Sequence, residues 1–224
     1  MPKPPPDRSP ARAIAFKRRL LAWFRKAGRS LPWRETRDPY RVLVSEFMLQ
    51  QTQVARVAEY YPRFLSTYPT IAHLARATPA RVRESWEGLG YYRRAENLHR
   101  LAQTVVRQHG GRIPPDPKLL DSLPGVGPYT AGAVACFAFE RRAPAVDTNV
   151  ARVLRRVFRP RLAHGARGTR ALWALADALL PRKGGTAWEF NQALMDLGAT
   201  ICVARKPRCP ECPVRPTCKT GRQQ

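Results

Sequence analysis

From Ala11 onward, apolar side chains recur at the three-to-four-residue spacing of helices, and no stretch alternates in the manner of a strand. Ile14, Leu20, Leu21 and Trp23 begin a first amphipathic helix that stops near Gly28. Pro39 opens YRVLVSEFMLQQTQVARVAEYYPRF, as one helix or as two. Pro79 opens RVRESWEGL, and YYRRAENLHRLAQTVVRQH follows the break at Gly88 and Gly90. PKLLDSL, YTAGAVACFAF, TNVARVLRRVF, TRALWALADALL and AWEFNQALMDLGATI read as further helices, with Pro or Gly between nearly all of them. The pattern predicts an all-α protein with no fixed-period repeat and no internal low-complexity tract.

Composition narrows the partner. The 224 residues include 40 Lys and Arg against 16 Asp and Glu, a net charge of +24. Self-repulsion of that size suits a chain whose usual partner is a polyanion, and RNA, DNA and anionic lipid all fit. No run of eighteen apolar residues exists, so no membrane span is expected. MPKPPPDRSP lacks the apolar stretch of a signal peptide, so residues 1–10 read as a disordered basic tail and a cytoplasmic location is expected.

Four of the five cysteines crowd ICVARKPRCPECPVRPTC: Cys202, Cys209, Cys212 and Cys218, in the pattern C-x6-C-x2-C-x5-C. Four thiolates in one short loop suit zinc or an iron–sulfur cluster. Only one hook is tight, and the long first gap lets the chain wrap a larger object, which favours a 4Fe-4S cluster over residues 202–218. Disulfides are the alternative, disfavoured in a reducing compartment. Cys136, inside an apolar helix, reads as a small buried hydrophobe.

LPGVGPYTAGAV, residues 123–134, places Gly125, Val126 and Gly127 at the mouth of a helix. Glycines let the backbone turn tightly and approach a ligand, and the N–H groups of the next helix start can serve an anion. With PKLLDSL before and YTAGAVACFAF after, the hinge at 123–127 completes a helix–hairpin–helix. Against the net charge of +24, the expected anion is a nucleic-acid phosphate. An ordinary helix–helix connection is the plainer alternative.

A helix–hairpin–helix upstream of this cysteine pattern resembles the endonuclease III superfamily of base-excision DNA glycosylases. LPWR at 31–34, SEFMLQQTQVARV at 45–57, GLGYYRRAENLH at 88–99, AVDTNVARVLRR at 145–156 and FNQALMDLGATIC at 190–202 are similar to the adenine DNA glycosylases (the MutY family). The resemblance implies two helical subdomains, with the N-terminal helix returning beside the C-terminal ones. The core then spans 11–201, the cluster loop 202–218 and a tail 219–224. It also implies removal of adenine mispaired with 8-oxoguanine or guanine, on double-stranded DNA and by a monomer associated with the nucleoid.

Glycosidic cleavage leaves a cationic sugar and an electron-rich base, so it needs a proton donor and a stabilising carboxylate. Glu46 has Val42, Leu43, Leu49 and Gln50 as one-turn neighbours, and an apolar setting keeps a carboxyl protonated; spacing alone would equally allow a surface glutamate. Asp147, just before TNVARVLRR, would make a good N-cap, where backbone N–H groups favour the ionised form. By resemblance, Glu46 protonates adenine N7 and can then activate water. Asp147 shields the oxocarbenium ion or traps it covalently.

The same resemblance assigns Asn149, Trp33 and Arg34 to the pocket, and Gln192 to contact with the base. Gln51, beside Gln50, and Tyr91 become the intercalating residues. Tyr129 stands where the lyase branch carries a Schiff-base lysine, and a phenol cannot form that bond, which implies a monofunctional enzyme. Packing against the core is the simpler role for Trp33, Tyr91 and Tyr129.

The adenine enzymes usually continue into a Nudix-like lesion-recognition domain. This sequence ends six residues past Cys218, so that domain is expected to be absent, with weaker lesion discrimination. Thr148 stands where many adenine enzymes have glycine. A mismatch thymine (T:G) glycosylase is the alternative within the superfamily. The Gln50–Gln51 pair argues against it, since thymine-removing relatives tend to carry arginines there. A non-catalytic DNA-binding iron–sulfur protein would need neither Glu46 nor Asp147.

Overall fold

The computed structural model describes residues 10–159, 162 and 165–221. Residues 1–9 of the expected tail, and 222–224 at the other end, lie outside the described residues; Pro10 already opens a helix. Among the described residues the chain is all-helical, without strands. In chain order come α1 (Pro10–Ala27), α2 (Pro39–Leu49), α3 (Val54–Thr67), α4 (Ile71–Arg76), α5 (Pro79–Glu84) and α6 (Arg93–His109). They are followed by α7 (Pro117–Asp121), α8 (Pro128–Phe139), α9 (Thr148–Phe158), α10 (Gly165–Leu179) and α11 (Gly184–Thr200). No described helix is long and apolar enough to cross a membrane.

The helices divide into two compact units, one built from the N-terminal segment through Arg29 together with the chain from Arg142 onward, the other spanning Ser30–Arg141. In the first, α1 packs on α11 and α11 on α9, so the N-terminal helix does return to the C-terminal ones. Phe16 of α1 meets Phe158 and Phe190 edge-on at 5.0 and 6.3 Å. Burying a side chain of this size contributes about 2 kcal/mol. Arg29 donates through its main-chain N and its guanidinium to Asp196, which is buried, closing α1 onto α11 at 2.6–2.9 Å.

The second unit is organised around α2 and α8, which pack on each other. Residues 42–48 and 130–138 are buried without interruption, as expected of helices apolar on every side. Asp38 caps α2 by accepting from Arg41 N at 2.8 Å, and Pro39 fills the first position, where no N–H is needed. The long run after Pro39 is two helices, broken after Leu49.

Two local readings change. α4 was not expected: it spans only six residues, too few for a periodic signal, and rests on the Thr70 cap and buried Ile71 and Leu74. α5 stops at Glu84 rather than continuing to Leu89, because Gly88 and Gly90 take φ of +89° and +72° and wind the chain into turns around fully buried Trp86.

Candidate active site

In the second unit, Glu46 sits inside the buried stretch of α2 and is 4% exposed. Trp33 lies on a single 3-10 turn, Pro32–Arg34, with its ring buried edge-on to Tyr61 at 5.7 Å; Arg34 beside it is half-buried. Burial pushes the Tyr61 phenol up to about 12, and its hydroxyl donates to Arg41 O at 3.2 Å. At the hinge, Gly125 has φ +74°, and a Cβ there would come within 2.6 Å of Asn97 Cβ. Gly127 differs: its φ is −120°, and an added Cβ would meet nothing within 4 Å. The fold therefore requires glycine at 125, whereas at 127 it leaves open space. Tyr129, half-buried, is the second residue of α8, after Pro128.

Where α2 ends, Gln50 is extended and Gln51 takes φ +56°, with its side chain exposed. Tyr91 repeats the pattern at φ +47° and 60% exposure, so its ring does not pack in the core. Non-glycine residues seldom adopt this left-handed conformation.

In the first unit, Asp147 caps α9. Its Oδ1 accepts from Val150 N at 2.6 Å and its Oδ2 from Asn149 Nδ2 at 3.0 Å. Asn149 Oδ1 in turn accepts from Arg152 at 2.6 Å, and Arg152 also donates to Gly198 O and to Cys202 O, each at 2.8 Å. A Cβ on Gly198 would lie 2.7 Å from Asn149 Cβ, so this close approach of α11 to α9 depends on glycine. Gln192 is buried on α11. Its neighbour Asn191 holds the segment leading to Asp147, donating to Ala143 O at 2.9 Å and accepting from Ala145 N at 3.4 Å.

All four C-terminal cysteines are free thiols lining one cavity of about 220 Å³, with Leu197 and Val214 among its apolar walls. Among the described residues no group of three or more His, Cys, Asp or Glu could hold a metal ion. Burial pushes the Cys212 thiol up to about 11 and that of Cys218 upward as well. Arg156 donates to Cys202 Sγ at 3.4 Å and Gly221 N to Cys218 Sγ at 3.2 Å. Cys136 is fully buried in α8.

The candidate residues thus fall into two sets. Glu46, Trp33, Arg34, Gln50, Gln51, Tyr91, Gly125, Val126, Gly127 and Tyr129 belong to the second unit; Asp147, Asn149, Gln192 and the cysteines belong to the first. Sequence reasoning missed Arg152 and Asn191, which hold Asp147 and the segment before it, and Arg94, which is buried on α6. Only Arg94 left a signal: it shares the α6 stripe with buried Leu98, Leu101, Ala102 and Val105, where a charge is out of place.

Residues 44–174 match the family described as HhH-GPD superfamily base excision DNA repair protein. The chain belongs to that superfamily. An adenine DNA glycosylase of Mycobacterium tuberculosis is 50% identical over 196 residues, which cover 87% of this chain and 64% of the relative. The chain thus spans less than two thirds of that relative's length. A thymine-DNA glycosylase of Aeropyrum pernix is 40% identical over 92% of this chain and 94% of its own. The solved structure of a thermostable thymine-DNA glycosylase superposes with a TM-score of 0.90 at 35% identity, covering 97% of this chain and all of the other. An all-helical HhH-GPD fold is what the hinge and helix pattern led one to expect.

Proposed function

We propose that this chain is a monofunctional DNA glycosylase that removes adenine mispaired with 8-oxoguanine or guanine. The observation that carries the reading is the 50% identity to an adenine DNA glycosylase, against 40% to the thymine enzyme. The residues are chemically suited to the task. The buried Glu46 carboxyl donates its proton to adenine N7 as the bond between the sugar C1′ and the base breaks, the bonding pair leaving with the base. To Asp147, fixed by its cap and by Asn149, we assign the negative charge that balances the positive sugar. Water then adds at C1′, its proton passing to the Glu46 carboxylate, which restores the acid. Tyr129 offers no amine, so the strand stays intact.

We infer that Cys202, Cys209, Cys212 and Cys218 hold a 4Fe-4S cluster, on the chemistry of four thiols in one short loop rather than on a ligand geometry already formed. What supports it is four free thiols around one roomy cavity, with N–H donors already directed at two of the sulfurs. Such a cluster would supply a structural cross-link within the loop, which Arg156 of α9 already contacts at Cys202 Sγ.

The whole-length match to thymine glycosylases gives removal of thymine from T:G pairs a definite claim as the second reading. Single-turnover base release from duplexes holding A opposite 8-oxoguanine, A opposite G and T opposite G separates the two. Adenine release, with strand breaks only after alkali, is the expected result. Thymine release would transfer the protein to the second reading, and breaks before alkali would remove the monofunctional assignment.

A further inference from the structure

Arg94 occupies the first turn of α6, where a cation opposes the helix dipole, and yet it is only 7% exposed. Its guanidinium lies 5.4 Å from the Trp86 ring and 5.6 Å from that of Tyr91. Its donors divide between two turns. Nη1 reaches Phe47 O, Met48 O and Gln50 O at 3.0, 2.6 and 2.5 Å, where α2 runs out of intrahelical donors. Nη2 reaches Leu89 O and Gly90 O at 3.1 and 3.0 Å, and Nε reaches Tyr91 O at 3.4 Å. A planar fork, with donors on three nitrogens, can serve both groups at once, whereas the three donors of an ammonium radiate from one nitrogen and cannot span them.

The two turns so joined carry the exposed left-handed residues Gln51 and Tyr91. Strained conformations of this kind persist only where the surroundings over-determine them. A groove of about 360 Å³ runs between the turns, lined by Gln50, Gln51, Tyr91, Tyr92, Arg94 and Asn97. Asn97, one turn along α6 from Arg94, is also the side chain that a Cβ on Gly125 would strike, so the hairpin abuts the same helix.

We propose that Arg94 is a positioning residue that locks the Gln50–Gln51 turn and the Tyr91 turn into one rigid wedge, so that both side chains enter the duplex together. This rests on the proposed function in taking those turns to be the ones that open DNA. Arg94 touches no reacting atom; it sets how fast the base pair opens.

The test is a double-mutant cycle on the full chain with Arg94→Lys, the pair Gln51→Ala and Tyr91→Ala, and all three together. The readouts are the rise of 2-aminopurine fluorescence beside a mispair, the affinity for a matched duplex, and the melting temperature. Arg94→Lys should slow the rise about tenfold, with matched-duplex affinity held within about twofold, because the hydrogen bonds it removes are those that orient the turns. In the background lacking both wedge side chains the same change should matter by less than about twofold, since coupled residues are not additive. An equal loss in both backgrounds, or none in either, overturns the proposal.

Hydrogen exchange of the unmutated chain keeps the idea testable if Arg94→Lys does not fold. Amides of residues 50–52 and 89–92 should open as one unit, with rates within about threefold of each other. Independent opening more than about tenfold apart contradicts it. Fluorescence is read on A:G and T:G duplexes alike, and base release is measured separately. Failure of the adenine assignment therefore appears as a change of released base, not as a change in the cycle.

Discussion

The two candidate carboxylates live in opposite surroundings. Glu46 is 4% exposed within the unbroken buried stretch 42–48 of α2, whereas Asp147 is half-buried at a helix mouth and accepts from a main-chain N–H and a side-chain amide. Glu46 is enclosed within α2, whereas Asp147 stands at a helix mouth where two N–H donors converge on its carboxylate oxygens. The difference teaches that one fold can offer the same residue class two environments, which suits the two roles that the proposed glycosidic cleavage needs. Asp147 is also tied, through Asn149 and Arg152, to the carbonyl of Cys202 at the head of the cysteine loop.

Removing the acid breaks the comparison most severely. Glu46→Gln keeps the shape and takes away the proton, and should slow base release about a thousandfold in single-turnover assays. Asp147→Asn should cost about a hundredfold or more in the same assay, as expected for loss of a fixed charge opposite a cationic centre. Asn keeps the acceptor that caps α9 but loses the one that Asn149 Nδ2 uses, so the melting temperature should fall by no more than about 4 °C. A large drop would assign Asp147 to the fold instead.

Arg152→Gln sharpens the comparison by loosening Asp147 without touching it. It should slow release about tenfold, leave duplex affinity within about twofold, and leave Glu46-dependent steps unaltered. A smaller effect concerns stability. The Tyr61 phenol is pushed up to about 12 in the fold, so the unfolded chain loses its proton first as pH rises. Stability from this group is therefore complete below about pH 10 and lost as pH climbs towards the folded value. Tyr61→Phe should flatten the fall in the urea midpoint between about pH 10 and about pH 12. Tyr40, which burial and nearby Asp38 also push up, keeps some of the slope.

Much of this was legible in the sequence, for reasons that differ by residue. Helix periodicity located most elements, and Asp147 announced its capping role by standing before TNVARVLRR. Gly125 was readable because a positive φ needs glycine, yet nothing local separated it from Gly127, whose backbone is unstrained. Arg94, Arg152 and Asn191 were not legible as holders of the site. Many of their partners are main-chain carbonyls, and a carbonyl carries no residue identity for a pattern to reveal. The same is true of α4, where six residues give less than two turns of signal.

The central claim is that two carboxylates in contrasting environments perform one hydrolysis. Its most direct test measures adenine release and duplex affinity together on the unmutated chain, Glu46→Gln, Asp147→Asn and the double variant. Residues acting as a unit are strongly non-additive, so the double variant should fall no more than about tenfold below the worse single one. Affinity should stay within about threefold throughout, because neither carboxyl contributes a phosphate contact. Unchanged release in either single variant, or release and affinity falling in step, would contradict the account.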